Sequence, residues 1–462
     1  METTADHPPV EPFRVFDVGG TRAPLYILPF DRDGTCMGPE TRAKALEDAH
    51  DSNATDVFLF SHGWNNDWRA ASAHYVEFIE GYQGLRSTSP PSQAVAYRAV
   101  LIGVFWPSTA LVLPWEGGPA IAGVDLQEQE TARSEEFNRQ LAELSGHIDG
   151  DALGLLRSPT LDDAAVDRLA KMLAPVWNQF QSSPTGDLAP GNSILPEELK
   201  ALWQAASMPT DGARPGDSDV DFQGGSVGSK SPAEPAAAGI GTVVLKPRDV
   251  VRLFTVLQMK DRAARVGARG ISALLRDILD EAPHARVHLV GHSYGCIVML
   301  SAMCYPSTVD LPRPVDSVLL LQGAVNRYCF GKTIPGTKTA GGYRTALRRV
   351  VQPILATFSQ DDFPLHNVFH LAVRRSIDLG QQQIAAGAEP AAPSRFAALG
   401  GYGPAGCEDG ECGYTVMPTS GVPYPRPTTE RIYGLRADAQ IAGHSAINVP
   451  GTWWALHQQV DR

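Results

Sequence analysis

The sequence predicts an α/β protein with a mostly parallel sheet flanked by helices, and three stretches carry that expectation. The runs "DVFLF" (56–60) and "YRAVLIGVFWP" (97–107) are short and continuously apolar, as strands buried on both faces are. Between them, "NDWRAASAHYVEFIEGYQGL" sets Trp68, Ala71, Tyr75, Phe78 and Ile79 at helical spacing, so strand, helix and strand form a βαβ unit. Further on, "VHLVGHSYGCIVML" (287–300) passes from apolar strand to apolar helix with almost no turn between.

The remaining elements follow in order. After about Leu111 the character changes: "LVLPWEGGPAIAGV" is apolar but broken by proline and glycine. "TLDDAAVDRLAKMLAPVWNQF" predicts an amphipathic helix with the stripe Leu161, Ala165, Leu169, Met172, Leu173, Val176 and Phe180. Thr160 is its expected cap, with Asp163 in the third helical position. "LPEELKALWQAAS" predicts a shorter helix, and 208–241, rich in Gly, Pro, Ser and Asp, predicts a mobile loop. Regular structure resumes with the long helix "DVVRLFTVLQMKDRAARVGARGISALLRDILDEA" and the strand "ARVHLVG". A helix from Tyr294 and the strands "DSVLLLQGA", "QPILATFS" and "RIYGLRAD" complete the core. The expected organisation is a core of 1–108 and 243–462 interrupted by an insert, 109–242.

Bulk properties exclude several classes. Hydrophobic content of 43% and charged content of 19% are ordinary for a soluble globular chain. A net charge of −12 argues against a general nucleic-acid binder. The N-terminal stretch has neither a basic start nor an apolar run, and no segment approaches the roughly 18 apolar residues of a membrane span. A cytoplasmic protein is expected. Of the six cysteines, Cys36, Cys296, Cys304 and Cys329 sit singly in apolar surroundings. Cys407 and Cys412 bracket "EDGE" and are read as unpaired loop thiols in preference to a small disulfide or a shared metal site. No cysteine–histidine set has zinc spacing. Asp217, Asp219 and Asp221 imitate a calcium loop, but Phe222 and Gly228 stand where it needs Gly and Glu.

The pattern G-x-S-x-G occurs twice, at 291–295 and 224–228. A nucleophile elbow needs a strand delivering the serine, a helix leaving it, and small residues two positions either side where the two pass closely. Ser293 has this context; Ser226 lies in the loop-like stretch. A serine hydroxyl needs a base to take its proton and a carboxylate to hold that base, in the chain order serine, acid, histidine. Downstream histidines are His366, His370, His444 and His457. His366 and His370 lie one helical turn apart, and His457 sits in the terminal helix. His444, in "AQIAGHSAINVP" just past a strand, hangs where a base must. Asp362 in "ILATFSQDDFP" is the expected acid, with Asp361 in reserve. Two N–H groups must meet a tetrahedral oxyanion: Tyr294, after the serine, and Trp64 in "FSHGWNND", where Gly63 lets the backbone approach.

Together, His62-Gly63-Trp64, Gly291-His292-Ser293-Tyr294-Gly295, Asp362 and His444 resemble the α/β-hydrolase superfamily over about 50–107 and 245–460. That resemblance implies a mostly parallel eight-stranded sheet, no metal and no organic cofactor. It also implies acyl transfer to water through an acyl-serine, with a small-molecule ester as the partner. A lipid-like or apolar ester suits an insert that acts as a lid, with Trp115, Trp177 and Trp203 lining an acyl pocket. The same insert reads equally as a peripheral subdomain that touches no substrate. Thioesters and amides stay open, as does a non-catalytic binding protein that kept the fold. The oligomeric state is not readable.

Overall fold

The computed structural model describes residues 11–18, 21–51, 54–89, 97–108, 137–158, 160–181, 195–207, 245–335, 340–362, 364–369, 396–424 and 429–461, with single gaps at 139 and 143. The chain clusters into two compact units. One comprises Met1–Thr109, Phe180–Asn192 and Val256–Arg462; the other comprises Ala110–Gln179 and Ser193–Thr255.

The first unit is built on one sheet. Its strands are β1 (Arg14–Val18), β2 (Thr21–Pro29), β3 (Asp56–Ser61), β4 (Ala99–Phe105), β5 (Arg286–His292), β6 (Ser317–Leu321), β7 (Ile354–Phe358), β8 (Cys412–Val416) and β9 (Ile432–Arg436). They lie in the order β1-β2-β4-β3-β5-β6-β7-β9-β8. Only β1 runs antiparallel to its neighbour; every other pairing is parallel. The sheet thus has nine strands, where eight were expected. The edges account for much of the difference. β1 and β8 pair on one side only, so neither needs an apolar run, and Arg14, Asp17, Gly413 and Thr415 break the pattern that marks buried strands.

The central strands are apolar because helices cover both faces. Phe58 and Phe60 pack with Tyr75, Phe78, Ile79 and Tyr82 of the helix Trp68–Thr88, and with Trp454 and Leu456 of the helix Pro450–Val460. Asp67 caps the first of these, its side chain accepting from the Ala70 N–H at 2.7 Å. The helices Ser272–Glu281 and Gly295–Cys304 pack against each other. Before the first of them, the long helix loosens into a π-turn at Gly267–Ile271. A Cβ on Gly267 would stand 2.3 Å from the Val298 carbonyl, so this close helix crossing requires glycine.

A second serine, histidine and aspartate lie together inside the sheet. His288 Nε2 meets Asp56 Oδ1 at 3.0 Å, and Ser317 Oγ meets His288 Nδ1 at 2.7 Å. All three residues are wholly buried, and Arg286 pairs with the same carboxylate at 2.8 Å. This trio joins the starts of β3, β5 and β6 and presents no surface to a reactant; its work is to satisfy a buried charge.

In the second unit, Asp162 rather than Thr160 caps the helix Asp163–Gln181, accepting from the Ala165 N–H at 2.7 Å. Aspartate two residues closer to the first turn wins the cap because its carboxylate reaches the third N–H directly. Trp177 and Trp203 are fully buried inside this unit. The Trp177 ring meets Phe254 edge-on at 5.0 Å, and Trp203 Nε1 donates to the Lys246 carbonyl at 2.9 Å. Trp115, His370, Ser226 and the stretch 208–241 lie outside the described residues.

Cys407 and Cys412 are disulfide-bonded, which corrects the expectation of two free thiols. The turn 408–411 returns the chain so that their Cα atoms are 5.9 Å apart, within bridging range. Among the described residues, no helix is long and apolar enough to cross a membrane, and no cluster of His, Cys, Asp and Glu could hold a metal.

Candidate active site

The site lies at the C-terminal ends of neighbouring parallel strands, where open α/β sheets place their ligands. β5 ends at His292 and the next helix begins at Gly295, which leaves Ser293 and Tyr294 to make the whole turn. Ser293 takes φ +54°, a left-handed conformation that costs a non-glycine residue about 1–3 kcal/mol. Surrounding bonds enforce it: the Ser293 N–H donates to the Leu321 carbonyl at 3.0 Å, and its carbonyl accepts from Cys296 and Ala324 at 3.1 and 3.2 Å. The flanking glycines are steric necessities. A Cβ on Gly295 would sit 2.1 Å from the Ser61 carbonyl, and one on Gly291 would sit 2.8 Å from Cys296 N and Cα.

Three side chains from distant parts of the chain converge here. His444 Nε2 stands 2.8 Å from Ser293 Oγ, and His444 Nδ1 stands 2.8 Å from Asp362 Oδ2. The carboxylate accepts at Nδ1, so that nitrogen carries the proton and Nε2 is left to accept from the serine hydroxyl. Ser293 is 3% exposed and Asp362 is fully buried, so this chain of bonds is largely shielded from bulk water. Asp361, the reserve acid, is exposed and takes no part; its N–H donates to Ser359 Oγ at 3.1 Å. Adjacent residues after a strand point apart, and only one of the pair enters the site.

The loops that carry acid and base are tied together. The Ala437 N–H donates to the Phe358 carbonyl at 2.8 Å, Ser359 Oγ donates to the Ile441 carbonyl at 3.0 Å, and the Gln360 N–H donates to Asp438 at 2.9 Å. His292, the motif's own histidine, donates through Nε2 to the His444 carbonyl at 2.9 Å. Burial, with His444 nearby, holds the His292 imidazole well below its ordinary value, so it is the neutral form that makes this bond. Nothing in the sequence pattern singled out His292 for this task.

Gly63 lies directly against the serine: a Cβ there would be 2.6 Å from Ser293 Cβ. The following Trp64 faces Tyr294, their ring centroids 6.2 Å apart. Among the described residues, the Trp64 main-chain N–H donates to no partner. His62 braces this turn from beneath. Its Nδ1 donates to the Gly63 carbonyl at 2.8 Å and its Nε2 accepts from the Trp106 N–H at 3.3 Å, with the Trp106 indole stacked on its ring. Burial depresses the His62 imidazole to about 4, consistent with a neutral ring bonded at both nitrogens.

The other downstream histidines stand elsewhere. His366 stacks on Tyr402 at 4.2 Å between ring centroids, and His457 is buried in the terminal helix. One further residue reaches the acid: Gln322 Nε2 donates to Asp362 Oδ2 at 2.9 Å. The only sequence signal for it is a polar residue directly after the buried strand "SVLLL".

A family model described as an alpha/beta hydrolase matches residues 247–323, from the long helix through the elbow to the end of β6. No curated protein and no solved structure matches the chain. The mostly parallel sheet and the family match together support membership of the α/β-hydrolase superfamily, and with it a hydrolase.

Proposed function

We propose that this chain is a serine hydrolase that cleaves a carboxylic ester through an acyl-serine intermediate. The observation that carries this reading is His444, bonded at 2.8 Å to the Ser293 hydroxyl and at 2.8 Å to the Asp362 carboxylate. His444 takes the Ser293 proton as Oγ attacks the ester carbonyl, then returns it to the leaving alcohol. Water repeats the sequence on the acyl-serine and frees the acid. Asp362 holds the ring in the tautomer this needs and stabilises the imidazolium. The Trp64 and Tyr294 N–H groups, at a turn and a helix start, meet the developing oxyanion. Gly63 keeps the space beside Oγ open, because any side chain there would collide with the serine.

For substrate class we propose an apolar acyl ester. A panel of p-nitrophenyl esters of rising chain length tests it. Turnover should climb with chain length, vanish in Ser293→Ala and survive in Ser226→Ala. Turnover that survives in Ser293→Ala would remove the serine mechanism; turnover indifferent to chain length would remove the apolar substrate.

A further inference from the structure

We propose that Gln322 is a positioning residue that fixes the Asp362 carboxylate toward the base, an inference that rests on the serine-hydrolase reading above. Gln322 directly follows β6, is fully buried, and takes φ +45°. A buried non-glycine residue in the left-handed region is held there by its surroundings.

Those surroundings also orient its amide. The Gln322 N–H donates to Thr357 Oγ1 at 2.9 Å, and the Thr357 hydroxyl donates to Gln322 Oε1 at 3.0 Å. The single hydroxyl proton of Thr357 is thereby committed to Oε1. Nε2 must then face Asp362 Oδ2, at 2.9 Å, with the Gly400 carbonyl as a second acceptor at 3.5 Å. The reversed amide would set Oε1 against a carboxylate oxygen with no proton between them.

The oxygen that Gln322 holds is the one that accepts from His444 Nδ1. The other oxygen, Oδ1, accepts from the Leu365 N–H at 3.0 Å. Three donors thus fix the carboxylate's rotation, and the chain Thr357–Gln322–Asp362–His444–Ser293 is bonded throughout. As the Ser293 proton moves to His444, the carboxylate facing the new imidazolium stays in place. A residue that only filled space at this position would need no donor.

The test compares wild type with two variants. Gln322→Met keeps the length and packing but donates nothing; its kcat should fall about tenfold or more with KM little changed, as for loss of a hydrogen bond to a charged group. Gln322→Glu donates only when protonated and repels Asp362 when ionised. Its kcat relative to wild type should therefore rise as pH falls from about 8 to about 5. Packing alone has no reason to produce that trend, and this variant decides the matter by itself if Gln322→Met fails to fold. Wild-type kcat in Gln322→Met, a loss confined to KM, or a flat Gln322→Glu ratio would overturn the proposal while leaving the hydrolase reading intact. A wild-type protein that takes no fluorophosphonate at Ser293 would overturn both.

Discussion

His62 makes the stability of the site loop depend on pH in a way that can be calculated. Burial lowers its imidazole from 6.5 to about 4. The unfolded chain therefore binds a proton at this residue between those values while the folded protein does not. Stability is full above pH 6.5 and declines as pH falls toward 4, below which both states carry the proton. The shift from 6.5 to about 4 corresponds to roughly 3 kcal/mol, which is a large part of a typical domain's 5–15 kcal/mol margin. His292, also held low by burial, adds to the same slope. The perturbation is His62→Asn, which has no imidazole to titrate. Urea unfolding of both proteins at a series of pH values between 4 and 7 measures the effect. The variant should be less stable at neutral pH, because Trp106 and Gly63 lose a bonded partner, yet its stability should fall less steeply on acidification by about one proton. Equal slopes in the two proteins would refute the assignment of a neutral, buried His62.

Three further outcomes follow from the geometry. Asp362→Asn should lower turnover about a thousandfold or more while the protein stays folded, because an amide at this position no longer selects the His444 tautomer; steady-state kinetics and circular dichroism check it together. Gly295→Ala should abolish folding or lower the melting temperature sharply, since its Cβ would meet the Ser61 and His62 carbonyls at 2.1 and 2.6 Å; an unchanged thermal melt would argue against so tight an elbow. Asp56→Asn should cost about 1–3 kcal/mol of stability by weakening the buried bond to His288 and removing the ion pair with Arg286, while turnover per folded molecule stays near wild type.

Much of this was legible because the central strands and the elbow obey strong local rules. A strand covered on both faces must be mostly apolar, and β3 to β7 are, with Asp56, His288, Ser317 and Thr357 hydrogen-bonded where they interrupt the runs. Gly291 and Gly295 mark the only way a strand and helix can cross so closely. The edge strands were not legible, because one-sided pairing relaxes those rules at β1 and β8. The helix cap at Asp162 was missed because Thr160 offers the same chemistry two residues earlier, and only geometry separates them. Gln322, Thr357 and His292 act through contacts 35 to 152 residues away in sequence, which no local pattern encodes. The Cys407–Cys412 bond depends likewise on how the turn between them closes.

The most direct measurement is the site of a covalent adduct. After treatment with a fluorophosphonate, mass spectrometry of the digested protein should find one modification, on the peptide carrying Ser293. Ser293→Ala should remove it, and His444→Ala should slow its formation severely. An adduct on any other residue, or one that persists in Ser293→Ala, would contradict the account.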